Sequence, residues 1–116
     1  MGKSVFTHLT YLAHLTHLTQ GSEMRVAVLH VELFIPHALS LKDKRMVLRR
    51  VKDRLGKFNV AVAEIEHQEA WQRAALGIVA ISTSAQHVEQ QLASVADEID
   101  RVEPGLVTRT ELEFLA

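Results

Sequence analysis

From residue 25 onward the chain alternates between two hydrophobic spacings. Residues 25–35, RVAVLHVELFI, set Leu29, Val31, Leu33 and Ile35 on one side of an extended chain. Val26, Val28, His30, Glu32 and Phe34 fall on the other. The run is β-branched and apolar enough for a central strand, and Pro36, lacking an amide hydrogen, ends it. The spacing then changes to threes and fours. Leu41, Val47, Leu48, Val51 and Leu55 make one stripe of a helix over 40–56. Ser40-Leu41-Lys42-Asp43 predicts its start as a capping box, with the Ser40 hydroxyl accepting from the Asp43 amide and the Asp43 carboxylate returning to the Ser40 amide. Gly56 is the expected stop. Residues 58–66, FNVAVAEIE, read as a second strand, 67–73, HQEAWQR, as a polar connection, and 74–82, AALGIVAIS, as a buried third strand. A Ser/Thr cluster at 82–84 precedes a second helix with an inner face of Val88, Leu92, Val95, Ile99 and Val102, broken by Pro104-Gly105. Residues 106–115, LVTRTELEFL, read as the last strand.

The order is β-α-β-β-α-β. Two right-handed crossovers in that order predict an α+β ferredoxin-like sandwich, a four-stranded antiparallel sheet with both helices on one face. The other face is bare unless a partner, a ligand or the N-terminal segment covers it. Val26, Val28 and Phe34 then form an apolar patch of the kind that marks interfaces. Trp71 is expected first as a hydrophobic anchor packing the connection, and second as an interface residue. Gly77 inside the third strand suggests close packing against a neighbouring backbone or Trp71.

Residues 1–23 break this pattern. His-Leu-Thr recurs at 8–10, 14–16 and 17–19, too irregularly for a solenoid. Leucines at 9, 12, 15 and 18 allow a weak helix, which four threonines and Gly21-Ser22 oppose. The segment lacks the apolar stretch and cleavage site of a secretory signal. The expected division is an N-terminal extension over 1–23, weakly helical or disordered, and a domain over 24–116. The extension reads either as mobile or as an over-extended gene start. His14 and His17, with His8, have the spacing for a metal on a helix, but no carboxylate or Cys accompanies them, and no metal site is expected.

At 116 residues, 47% of them apolar, the chain suits one domain resting on its own core. It has no cysteine, which removes disulfides, thiolate metal sites and a cysteine nucleophile. No apolar run is long enough to span a membrane, and a cytoplasmic location is expected. The net charge of −1 hides a split. Residues 42–57 carry eight cations against two acids, and residues 58–116 carry three against ten. Such a dipole has one basic surface, which suits an anionic partner. On a helical wheel Lys42, Arg45, Arg49 and Lys52 line one flank of the apolar stripe, while Arg50, Arg54 and Lys57 lie further round. Lys44 falls inside the apolar sector, where it either snorkels or pairs with Glu64 or Glu66.

No phosphate loop, dinucleotide fingerprint or hydrolase elbow is present. Phe34 stands alone on the central strands, short of the aromatic pair that an RNA-recognition sheet uses for stacking. His30 and Glu32, joined by Glu64 and Glu66, could support acid–base work, but no nucleophile or oxyanion donor accompanies them, and no catalytic residue is assigned.

SLKDKR at 40–45, FNVAVAE at 58–64, HQEAWQRAALGIV at 67–79 and HVE at 87–89 resemble the YlxP-like family, domain of unknown function 503, over about residues 24–115. The resemblance implies a ferredoxin-like fold and brings no activity, cofactor or established ligand. Members in many bacteria are encoded near a translation initiation factor and ribosome-binding factor A, which implies a role near the ribosome. The family-like positions are Ser40, Lys42, Lys44, Arg45, Asn59, Glu64, Gln68, Trp71, Gln72 and Arg73. The leading expectation is a non-enzymatic RNA- or ribosome-associated protein without a cofactor. Its phosphate contacts would come from Lys42, Arg45, Arg49 and Lys52, with polar contacts from Gln68, Gln72 and Arg73. The competing expectation is a homodimeric or small-molecule-sensing module using the open sheet face. An enzyme built on His30 and Glu32 comes third.

Overall fold

The computed structural model describes residues 24–116. The elements are β1 (Arg25–Phe34), α1 (Leu41–Leu55), β2 (Val60–Glu66), β3 (Arg73–Ser82), α2 (Ala85–Val102) and β4 (Val107–Phe114). The strands stand in the order β2-β3-β1-β4, and every neighbouring pair is antiparallel. This is the expected ferredoxin-like arrangement. The reading of residues 1–23, including His8, His14 and His17, lies outside the described residues.

The period-two pattern of β1 decides which face is covered. Ala27, Leu29, Val31 and Leu33 are buried, as are Leu76 and Ile78 of β3. They pack against Val47, Val51 and Leu55 of α1 and Val88, Leu92, Val95 and Ile99 of α2 in a single cluster. Each Val, Leu or Ile among them contributes roughly 1.5–3 kcal/mol when fully buried, so these two helical stripes and one sheet face hold the fold. The opposite face carries Val79 at 36% and Ile81 at 49% exposure.

The helix ends differ from expectation in detail. The Asp43 amide donates to Ser40 Oγ at 3.0 Å, but the Asp43 carboxylate accepts from the Leu39 amide, also at 3.0 Å, instead of from Ser40. Ser40 is fully extended, with φ −164°, which brings the preceding amide and not its own into reach. Gly56 does end α1, but with φ −59°, in a right-handed turn that any residue adopts. Gly105 is the glycine whose freedom is used, at φ +81° between α2 and β4. Ser84 caps α2 by accepting from the His87 amide at 3.2 Å.

Two further expectations are corrected. Trp71 is 53% exposed and does not anchor the connection. Gly77 is approached by neither Trp71 nor a backbone; a Cβ there would meet Ile65 Cγ2 at 3.2 Å. Ile65 is the extra residue of a bulge, since Glu64 pairs with Leu76 and Glu66 with Ala75. The bulge breaks the alternation of β2. Glu64 therefore turns to the helix layer, while Glu66 turns to the open face.

Candidate functional site

The seven outer cations of this region sort into two groups. Arg50 bonds Glu103 at 3.4 Å and the Val102 carbonyl at 3.1 Å. Arg54 and Lys57 reach Glu98 at 2.7 and 3.1 Å, and Arg101 joins them at 3.4 Å. The Glu98 side chain is only 4% exposed, and hydrogen bonds first from Arg54 and then from Lys57 hold its carboxyl below the ordinary value. Lys42, Arg45, Arg49 and Lys52, in contrast, form no ion pair among the described residues. Arg45, Arg49 and Lys52 share a groove of about 320 Å³ with Leu48 and Glu64, on the β2 side of the helix.

Lys44 does not snorkel. Its side chain is 2% exposed, and its ammonium donates to Glu64 Oε2 at 3.0 Å. It also donates to the carbonyls of His67 (2.8 Å), Gln68 (3.3 Å) and Arg73 (3.3 Å). These acceptors belong to the β2–β3 connection, so one lysine of α1 pins that loop at both ends. His67 takes φ +64°, an uncommon conformation for a side chain with a Cβ. Its carbonyl is held by Lys44, and its imidazole Nε2 lies 3.2 Å from Glu32 Oε1.

On the open face Glu32 is the hub. His30 Nε2 lies 2.8 Å from Glu32 Oε2, and Arg73 lies 3.6 Å from Oε1 beside His67. The hydrogen bond from His30, then that from His67, keeps the Glu32 carboxyl below its ordinary value despite partial burial. A cavity of about 260 Å³ lies here, reached also by Glu66, Arg109 and Glu111. Both oxygens of Glu32 are engaged and its proton affinity is lowered, so it makes a weak general base. Glu64, expected here, points to Lys44 instead; only Glu66 of the pair joins.

The predicted contact residues do not form one surface. Arg73 pairs in register with Phe34 on the open face, with the sheet between it and the basic flank of α1. Gln72 is engaged internally, its Nε2 donating to the Pro36 and Ala38 carbonyls at 3.0 and 3.2 Å. Gln68 is exposed at the α1 end of the connection, where Lys44 holds its carbonyl. The predicted interface residues also divide. Val26 and Val28 are half-buried at one end of β1, while Phe34 and Trp71 share a cavity at the other, with the His30–Glu32 belt between. Sequence reasoning missed Glu98 as the acceptor of α1's second band. Its signal was a carboxylate three residues after Val95 on the inner edge of α2.

Among the described residues no helix is long and apolar enough to cross a membrane, and no group of three or more His, Asp or Glu is placed to hold a metal ion. The de novo designed protein Foldit4 has the same fold, with a TM-score of 0.52 at 10% identity over 81% of this chain and 98% of that one. A C-terminal segment of the alpha subunit of aIF2 from Pyrococcus abyssi aligns less well, with a TM-score of 0.47 at 25% identity, over 79% of this chain and 49% of the other. The protein named "Uncharacterized protein YlxP" from Bacillus subtilis (strain 168) is 44% identical over 84 residues, covering 69% of this chain and 90% of that protein. The family described as "Protein of unknown function (DUF503)" matches residues 26–112, and the chain belongs to it.

Proposed function

We propose that this protein is a non-enzymatic RNA-associated factor, with ribosomal RNA as its partner, and that it grips phosphates with the Lys42–Arg45–Arg49–Lys52 flank of α1. One observation carries the reading. The other outer cations of α1 and its end are bound to α2 and its cap, and this flank has no internal acid partner among the described residues. Four residues spaced by three or four along one helical edge suit successive phosphates. From Lys42 to Lys52 the edge runs about 15 Å. A cytoplasmic setting belongs to this reading.

Electrophoresis with 16S rRNA fragments at graded salt tests it. Four phosphate contacts should weaken binding by roughly one to two orders of magnitude between 50 and 200 mM salt. Changing Arg45, Arg49 and Lys52 together to Gln should reduce the salt slope by about two units. Reversing Glu111 and Glu113 should not. Unchanged affinity and slope in the folded triple variant would refute the assignment.

A second reading, self-association through the open sheet, draws on Ile65, Val79 and Ile81, each at least one-third exposed. Sedimentation at high concentration separates the two. A dimer that persists in the triple variant favours the sheet.

A further inference from the structure

Trp71 and Phe34 are, by size, the most conspicuous exposed side chains of the described fold, at 53% and 45% exposure. They border one open cavity of about 510 Å³, completed by Glu69, Ala70, Gln72 and Arg73. Leaving two large aromatic rings in water forgoes burial worth several times the energy of a surface hydrogen bond. Their position is not the accident of a loose loop. The Ile35 amide donates to the Gln72 carbonyl at 2.8 Å, and the Gln72 side chain straps Pro36 and Ala38. Lys44 holds the carbonyls of His67, Gln68 and Arg73 on the other side. The connection that presents Trp71 is thus fixed before any ligand arrives. Arg73 lies opposite Phe34 in register and borders the same cavity, its 60% exposed side chain reaching Glu32 at 3.6 Å.

We propose that the Phe34–Trp71–Arg73 cavity receives an unpaired nucleobase, stacked on the indole, from the same RNA strand whose phosphates follow α1. The proposal rests on the phosphate reading above and adds to it a base-binding site on the far side of the β2–β3 connection. One observation, read with the general pattern of single-strand binding, favours a base over a protein side chain here. Lys42 begins the free cationic edge in the first turn of α1, and Lys44 in that turn bonds the very loop that carries Trp71, so the edge runs towards the cavity. An exposed aromatic platform at the end of a cationic track is a pattern of single-strand binding, in which stacking tolerates any base. The strand would leave the flank at Lys42 and pass around the end of the sheet.

Trp71 is the only tryptophan of the chain, so its own emission reports the site. The probes are a ten-nucleotide oligoadenylate and an abasic ribose-phosphate chain of the same length, titrated into the full-length protein at several salt concentrations. Both should bind with the same salt slope, but only the oligoadenylate should quench Trp71 and bind more tightly. Trp71→Ala should weaken oligoadenylate on the order of tenfold and leave the abasic chain unaffected, with Trp71→Phe retaining most of the affinity. The side chain is exposed, so far-UV circular dichroism should match the parent in both variants. If both probes bind with a steep salt slope while Trp71 emission stays constant and Trp71→Ala binds like the parent, the base site is refuted and the phosphate reading stands. If neither probe nor any rRNA fragment binds at 50 mM salt, the phosphate reading fails and takes this proposal with it. Emission that shifts with protein concentration alone would assign the aromatic pair to a second copy of the chain and overturn the proposal.

Discussion

Replacing Lys44 with Met removes an ammonium and leaves an apolar stem on the buried side of α1, which also carries Val47, Leu48 and Val51. Lost are one ion pair at 3.0 Å and three carbonyl contacts between 2.8 and 3.3 Å. Breaking a buried pair by deleting one partner costs about 3–5 kcal/mol. Glu64 retains 22% exposure, so water can solvate part of its stranded charge, and the His67 carbonyl keeps the Ala70 amide at 3.0 Å. Both facts place the expected loss near the low end, about 3 kcal/mol. A domain of this size holds about 5–14 kcal/mol in total, so the loss is a large fraction. At ~4–8 °C per kcal/mol the midpoint should fall by about 12–24 °C. Urea denaturation followed by far-UV circular dichroism measures the free-energy loss, and a thermal melt the midpoint. Adding Glu64→Gln to the Met variant removes the stranded carboxylate and should recover about 1 kcal/mol or more. Lys42→Met, on the exposed flank, should stay within ~0.5 kcal/mol of the parent. A folded Lys44→Met protein within ~1 kcal/mol of the parent would refute the view of Lys44 as the peg of the connection.

Glu32→Gln tests the open-face hub by its pH dependence. The folded-state carboxyl is depressed, first by His30, so its contribution is present above the ordinary value of ~4.3 and is lost as pH falls through the lowered one. The difference in melting temperature between parent and variant should therefore be full above the ordinary carboxylate range and narrow as pH falls below it; a gap that stays constant down to the acid-unfolding limit would count against it. Gly105→Ala meets no atom within 4 Å, so only the backbone at φ +81° objects, and a loss of ~1 kcal/mol is expected in thermal melts. Removing residues 1–23 should change the melting temperature by no more than a few degrees, since the sheet and both helices lie within 25–114; a molten truncated chain would show that the segment contributes to the core.

The fold was legible because its signals are local. The alternation in 25–35 names the buried face of β1, and the stripe from Leu41 to Leu55 names the inner side of α1, with no knowledge of what packs there. The same locality misled at β2. A strict period of two puts Glu64 and Glu66 on one face, and only the pairing with β3 reveals the bulge at Ile65 that separates them. Gln72 reads as a free amide in HQEAWQR, because its acceptors at Pro36 and Ala38 belong to another loop. Trp71 failed for a related reason. Residue type predicts burial on average, but this connection leaves the indole 53% exposed.

Charge shows most sharply what separates a sequence count from a surface. The segment 42–57 has a net charge of +6, and that number treats its cations as equivalent. In the folded chain Lys44 serves the β2–β3 connection, while Arg54 and Lys57 neutralise a carboxylate of α2 that is almost fully removed from water. Those three are committed to stability, and spending them on a ligand would strand Glu64 or Glu98. Among the described residues, the cations of 42–57 that form no ion pair are those of the flank from Lys42 to Lys52, which can meet an anion without first breaking one. It is therefore the free flank, and not the net charge, on which the proposed phosphate contacts depend, and the Lys44 peg ties the first turn of that helix to the connection that carries Trp71.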